Sequence, residues 1–148
     1  MQDDRLRASL GNAVVRLFRL VNRVHNRAIA AHGVSAEQAH ILSVLWVTGP
    51  ITMGQLQRQV ALSSGTLTGA IDRMAAQGMV RRAPSPDDHR AIVIEPRVAA
   101  KKRAQIEATL DATEQQLWSG LSAAERKELL RLMDKEIGRA SCRERVCT

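Results

Sequence analysis

Tyrosine is absent from this 148-residue chain and phenylalanine occurs once, so the sequence offers little with which to line an aromatic pocket. Its two cysteines, Cys142 and Cys147, both lie in the last stretch, residues 136–148. Within that stretch Ile137–Val146 does not continue the helical pattern before it, and it resembles the translation of a sequencing-adapter read. It is read as a non-native tail outside the fold. Without it no cysteine is left, and disulfide, zinc–thiolate and thiol-switch chemistry lapse together. No apolar run approaches the roughly 18 residues of a membrane span, and no basic n-region followed by an apolar h-region opens the chain. A cytoplasmic protein with no membrane partner is expected. Catalytic signatures are also missing: there is no glycine-rich phosphate loop, nucleophile elbow or His-Glu-x-x-His, and the acids fall singly. The expectation is that this is not an enzyme. His25, His32, His40 and His89 show no paired spacing with carboxylates, so no metal site and no cofactor are implied.

What is present is positive charge. Lys and Arg number 22 against 15 acids, a formal net charge of +7. That balance favours a polyanionic partner without saying anything about fold, and ribosomal and membrane-surface proteins share it. The length suits one domain with a real core.

Apolar residues recur at three- and four-residue spacing from Leu6 through Leu10, Val14, Leu17, Val21, Val24 and Ala28, with Phe18 and Leu20 widening the stripe. This predicts a long amphipathic helix over about 4–31, ended near Gly33. Ser35 and Gln38 stand at capping-box spacing before a second helix that buries Ala39, Leu42, Leu45 and Trp46 and breaks at Thr48–Pro50. Pro96 is expected to open a third long helix to about Gly120, with Val98, Ile106, Leu110, Thr113 and Leu117 on one side. Ser122 and Glu125 cap a last one through Leu129, Leu130 and Met133. Long helices with an unsatisfied apolar stripe are expected to find it in a second subunit, giving a homodimer.

The most informative stretch is Thr52–Ile94. Thr52 and Gln55 form a capping box for a short helix to Val60, and Ala61–Ser63 makes a tight turn. Ser63 or Ser64 then caps a second helix that ends at Gly78 in the C′ position. Met79–Arg82 and Ala91–Glu95 read as strands, with the charged tip Pro84–Arg90 between them. A helix-turn-helix followed by a basic hairpin can place one helix in the major groove of DNA and a side chain in the minor groove. The fold class is therefore mainly α with a small β wing: a winged helix-turn-helix core flanked by long dimerisation helices. The helix-turn-helix covers about 52–78, the wing about 79–95, and the dimerisation helices about 4–31 and 97–135, in a single domain over 1–135.

Three places resemble the MarR family of winged-helix transcriptional regulators. Ser64–Met74 is similar to its recognition helix, Gln77–Arg82 to the exit into the first wing strand, and Pro86–Arg90 to the wing tip, where Asp88 and Arg90 keep the family's Asp, variable residue, Arg pattern. Two departures stand out: Ser85 where an Asp often precedes the proline, and Glu95–Pro96 where Leu-Thr is usual. The resemblance implies a dimeric, sequence-specific DNA-binding regulator, a repressor released by a small molecule. Its partners would be a pseudo-palindromic duplex, a second copy of the chain, and a small aromatic or phenolic effector. The other readings are a winged-helix protein-interaction adaptor and a non-specific nucleoid protein.

The residues expected at DNA are Thr52, Gln55, Ser63, Ser64, Thr66, Thr68, Arg73, Arg82, His89 and Arg90. Ser63 and Ser64 could instead be mere caps, Arg73 and His89 solvated charges. Since Arg81 and Arg82 alternate on a strand, one of them faces DNA. Arg90 is implied either to enter the minor groove or to brace the wing by pairing with Asp72. Early cations on the third long helix, Lys101, Lys102 and Arg103, sit poorly with the helix dipole and would be explained by phosphate, the alternative being a plain solvated face. An effector crevice would draw on Arg16, Arg23, His25, His40 and Trp46. Absence of cysteine argues against the family's peroxide-sensing members.

Overall fold

The computed structural model describes residues 2–146. Its chain divides into two compact units that part within one helix, after Thr113. In the first unit, α1 (Gln2–Arg7) and α2 (Leu10–Ile29) replace the single helix expected over 4–31. The break has a local cause. Ser9 takes an extended backbone, φ −81 and ψ 116, and its hydroxyl accepts from Asn12 N at 3.2 Å, starting a new helix. Asn12 Nδ2 donates back to Leu6 O at 3.0 Å and splices the two pieces. A single 3₁₀ turn, Ala30–His32, ends at left-handed Gly33.

Helix α3 (Ala36–Thr48) begins with the expected capping box between Ser35 and Gln38, and its N-terminus is tied to α2 because Asn26 Oδ1 accepts from Ala36 N at 2.8 Å. After it, β1 (Ile51–Thr52) leads directly into α4 (Met53–Val60), and α5 (Ser64–Ala76) follows. Strands β2 (Val80–Pro84) and β3 (Ile92–Pro96) form the wing hairpin, and β1 adds to the other side of β3 in an antiparallel sheet of order β1-β3-β2. Ile51 pairs with Ile94 and Thr52 with Val93, while β2 pairs with β3 from Val80 opposite Pro96 to Pro84 opposite Ile92.

Pro96 therefore ends a strand rather than opening a helix. It lies beyond the reach of β1, where β3 has one neighbour and a missing N–H is tolerated. Helix α6 (Ala100–Leu117) starts four residues later. The core of this unit gathers one side chain or more from every layer. Ile29 of α2, Ile41, Leu42 and Leu45 of α3, Leu56 of α4, Leu67, Ile71 and Met74 of α5, Ile94 of β3 and Ile106 of α6 are all inaccessible to solvent. His32 Nε2 and Thr109 Oγ1, 2.9 Å apart, link the 3₁₀ turn to α6.

In the second unit, Ser122 and Glu125 form the expected reciprocal cap, with bonds of 3.0 and 3.1 Å, at the start of α7 (Ala123–Val146). This helix runs through Ile137–Val146, correcting the expectation that the pattern stops there. The segment lacks a clear apolar stripe, yet apart from Gly138 it is built of residues that a helix tolerates, and Glu136 pairs with Arg139 one turn on. Cys142 is exposed on it, and Cys147 lies outside the described residues. Among the described residues no helix is long and apolar enough to cross a membrane.

Candidate nucleic-acid interface

Every feature of this face follows from how α4 and α5 are started and stopped. Thr52 Oγ1 accepts from Gln55 N at 3.2 Å, and Gln55 Oε1 accepts from Thr52 N at 2.9 Å. The two residues thus satisfy each other and position α4, and Gln55 is exposed. Ala61 closes α4 in the left-handed region, φ 54 and ψ 36, with its N–H on Gln57 O at 2.9 Å. Of the two serines that could cap α5, Ser63 does so. Its hydroxyl accepts from Thr66 N at 3.3 Å and donates to Thr66 Oγ1 at 2.8 Å. The two hydroxyls are therefore joined at the start of α5, and both residues are exposed.

The periodicity of α5 separates two faces. Leu67, Ala70, Ile71 and Met74 are buried. Gly65, Thr68, Asp72, Arg73 and Ala76 lie on the opposite face and are exposed, with Ser64 and Thr66 exposed on the flanks. Gly65 and Gly69 on this outward face carried no expectation in the sequence. Both have ordinary helical φ, and a Cβ at Gly65 would meet open space. A Cβ at Gly69 would sit 3.4 Å from Arg73 Nη1, so the arginine lies back along the helix toward its N-terminus. Gly69 in mid-helix was the available signal, since an interior glycine costs about 1 kcal/mol relative to alanine.

The helix exits through a Schellman motif. Gly78 takes φ 73, its N–H reaches Ala75 O at 3.0 Å, and Met79 N reaches Met74 O at 2.9 Å. That turn aims β2 back along α5. Arg82 of β2 then meets Asp72 of α5, Nη2 to Oδ1, at 2.6 Å. The brace of the wing is Arg82, not Arg90 as anticipated. The hairpin twist brings the third residue of β2 over the helix, whereas Arg90 sits eight residues later beyond the strand, at the tip. Arg81 is also engaged, pairing across the strands with Glu95 at 2.7 Å.

At the tip, Asp88 Oδ1 accepts from the backbone N of Arg90 at 3.0 Å, and Asp88 O accepts from Ala91 N at 3.0 Å. The aspartate is thus a turn-former. His89 and Arg90 are both exposed, and the Arg90 guanidinium has no ion-pair partner among the described residues. Both arginines of β2 are held in pairs, so the cation presented at the wing tip is Arg90, with His89 beside it.

A MarR family model matches residues 34–92, the span from α3 to the start of β3. An uncharacterised helix-turn-helix transcriptional regulator of Bacillus subtilis, YcgE, is 34% identical over 100 residues, which is 65% of either chain. A mutant MarR from Escherichia coli, solved in complex with operator DNA, superposes with a TM-score of 0.76 at 25% identity, over 85% of this chain and 91% of that one. The chain belongs to the MarR family. It spans 65% of the length of YcgE and of the curated Escherichia coli MarR. CouR from Rhodococcus jostii, solved with p-coumaroyl-CoA, shares the MarR fold at a TM-score of 0.79 and 17% identity, over 89% of this chain and 94% of that one.

The effector candidates do not converge as the interface residues do. Arg16 and His25 are nine residues apart on α2, half a turn out of phase, and so face opposite ways. Arg16 lines a shallow cleft of about 500 Å³ with Leu6, Arg7 and Asn12. Trp46 of α3 is half-buried under Arg103 of α6, whose guanidinium carbon is 5.1 Å from the ring centroid and whose Nε donates to Glu107 at 2.9 Å. That contact gives Arg103 a structural role. His40 is reached by water, yet partial desolvation holds its pKa below the ordinary histidine value.

Proposed function

We propose that this MarR-family chain is a sequence-specific DNA-binding transcription regulator that acts as a homodimer. The observation that carries the reading is the exposed hydroxyl-and-arginine face of α5. Its inner face is locked into the core, and the same helix is braced by Asp72–Arg82 to a hairpin tipped by Arg90. In this reading α5 enters the major groove. Thr66 and Thr68 reach base edges, and the N–H groups of Ser64 and Gly65, without partners inside the helix, meet phosphate at its positive end. Thr52, Gln55 and Arg73 touch the backbone, and Arg90, with His89 beside it, enters the adjacent minor groove. Arg82 serves the interface by holding the wing. The likeness to an Escherichia coli MarR solved with operator DNA supports a DNA partner.

Dimerisation is supported by apolar side chains that this chain leaves in water. On α2, Leu10 is 84% and Phe18 66% exposed, and on α7 Leu130, Met133 and Ile137 lie along one exposed stripe. A second copy covering them removes that cost and sets two recognition helices about 34 Å apart, one helical turn of duplex. We further propose that the regulator is a repressor released by a small aromatic or phenolic effector; the ligand of CouR, which shares the fold, supports that part.

The test is selection of binding sites from random duplex by the full chain at near-physiological salt. Enrichment of a pseudo-palindrome with half-sites about one helical turn apart is the expected result. A folded protein that binds every sequence equally would make it a nucleoid-type binder. A folded protein that binds no duplex would make it a protein-interaction adaptor.

A further inference from the structure

Helix α2 carries a second charged feature that the α5–wing interface leaves unused. From Arg5 to Ala36 the chain has six arginines and not one acid. Four of them, Arg16, Arg19, Arg23 and Arg27, recur at spacings of three, four and four residues on α2, within about 80° of arc and over ~16 Å of helix. All four are exposed. Among the described residues none has an acidic side chain within ion-pair distance. The row points away from buried Ile29, so it contributes nothing to the core. Like charges three and four residues apart also disfavour the helix that holds them. A row that is costly, unpaired and structurally idle has its balancing charge outside the molecule.

We infer that the arginine row of α2 is a second nucleic-acid-binding surface, taking the sugar–phosphate backbone without reading sequence. Guanidinium groups bind phosphate bidentately, and four of them in line select an evenly charged polymer over a small monoanion. A strand carries a phosphate every ~3.4 Å of rise, so the row spans four or five phosphates. No aromatic or hydroxyl side chain interrupts it, which suits backbone contact rather than base recognition. The inference rests on the DNA-binding reading for its choice of nucleic acid, but the surface is separate from α5 and the wing. Such a chain could hold its operator through α5 and a further segment of nucleic acid through α2.

The test compares the full chain with the Arg16→Gln/Arg19→Gln/Arg23→Gln/Arg27→Gln variant. Binding of a short labelled random-sequence duplex is measured across a salt series. Each phosphate contact adds about 0.9 to the slope of log affinity against log salt, so the variant should lose up to about 3.6. The corresponding four Arg→Lys changes should keep the slope, which excludes a folding defect as the cause. An unchanged slope in the glutamine variant overturns the proposal. So does an unchanged slope accompanied by lost binding to phosphatidylserine-containing vesicles, which would assign the row to an acidic membrane surface. A Thr66→Ala/Arg90→Ala variant separates the two readings. It should lose sequence preference while keeping the α2-dependent slope; preference that survives would refute the α5–wing reading without touching this one.

Discussion

Ala61 closes α4 at φ 54 and ψ 36, a left-handed conformation in which an L side chain crowds the following carbonyl. Glycine escapes that clash, worth about 1–2 kcal/mol, but brings a more flexible unfolded chain that offsets about 0.4–1 kcal/mol. The Ala61 methyl is exposed, so its loss forfeits little burial. Ala61→Gly should therefore stabilise the fold by about 0.5–1 kcal/mol. With an unfolding entropy of ~2.1 cal/mol/K per residue, that raises Tm by about 2–3 °C. The converse change gives an internal control. Gly78 has φ 73 and nothing within 4 Å of an added Cβ, so Gly78→Ala pays only the backbone term and should destabilise by about 1 kcal/mol. Urea titration of both variants at one fixed protein concentration, which the proposed dimer would require, reads the two signs. A midpoint for Ala61→Gly equal to or below wild type would refute the strain argument, and a neutral Gly78→Ala would refute the helix exit described above.

Three further outcomes are expected. Asp72→Asn should cost no more than ~1 kcal/mol, because the pair with Arg82 is substantially exposed, and that cost should vanish in an Arg82→Gln background; strict additivity in the cycle would show the brace contributes nothing. Ile71→Ala, at a side chain with no accessible surface, should destabilise by about 2–5 kcal/mol in denaturant titration, and a loss under ~1 kcal/mol would mean α5 is not clamped as described. His40 binds its proton less readily folded than unfolded, so its contribution is fully present above the unfolded value near 6.5 and is lost as pH falls through the lower folded value. His40→Gln should flatten the acid side of the stability–pH curve, and an unaltered curve would exclude this histidine as its source.

The starts of α3, α4 and α7 were legible because their causes are local. The boxes Ser35–Gln38, Thr52–Gln55 and Ser122–Glu125 each join residues three apart, and Gly78 marks a helix end through its own backbone. The same local chemistry at Ser9 splits α1 from α2, beneath an apolar stripe that runs unbroken across both. The stripe reports which face is apolar and is silent about whether the backbone is continuous. Strand β1 is two residues long, too short for alternation to register, and exists because β3 offers it a partner more than forty positions away. The wing shows the division most clearly. Composition and spacing placed cations on β2 and at its tip. Which arginine faces Asp72 depends on how the hairpin twists over α5, and only the tertiary structure assigned that role to Arg82 and left the Arg90 guanidinium without an ion-pair partner among the described residues. Sequence alone thus determined where the capped helices α3, α4, α5 and α7 begin, which faces are apolar and which tips are charged, since those follow from neighbours within a turn. Pairings between elements were decided by the packed core, because they depend on the relative orientation of segments that no local interaction sets.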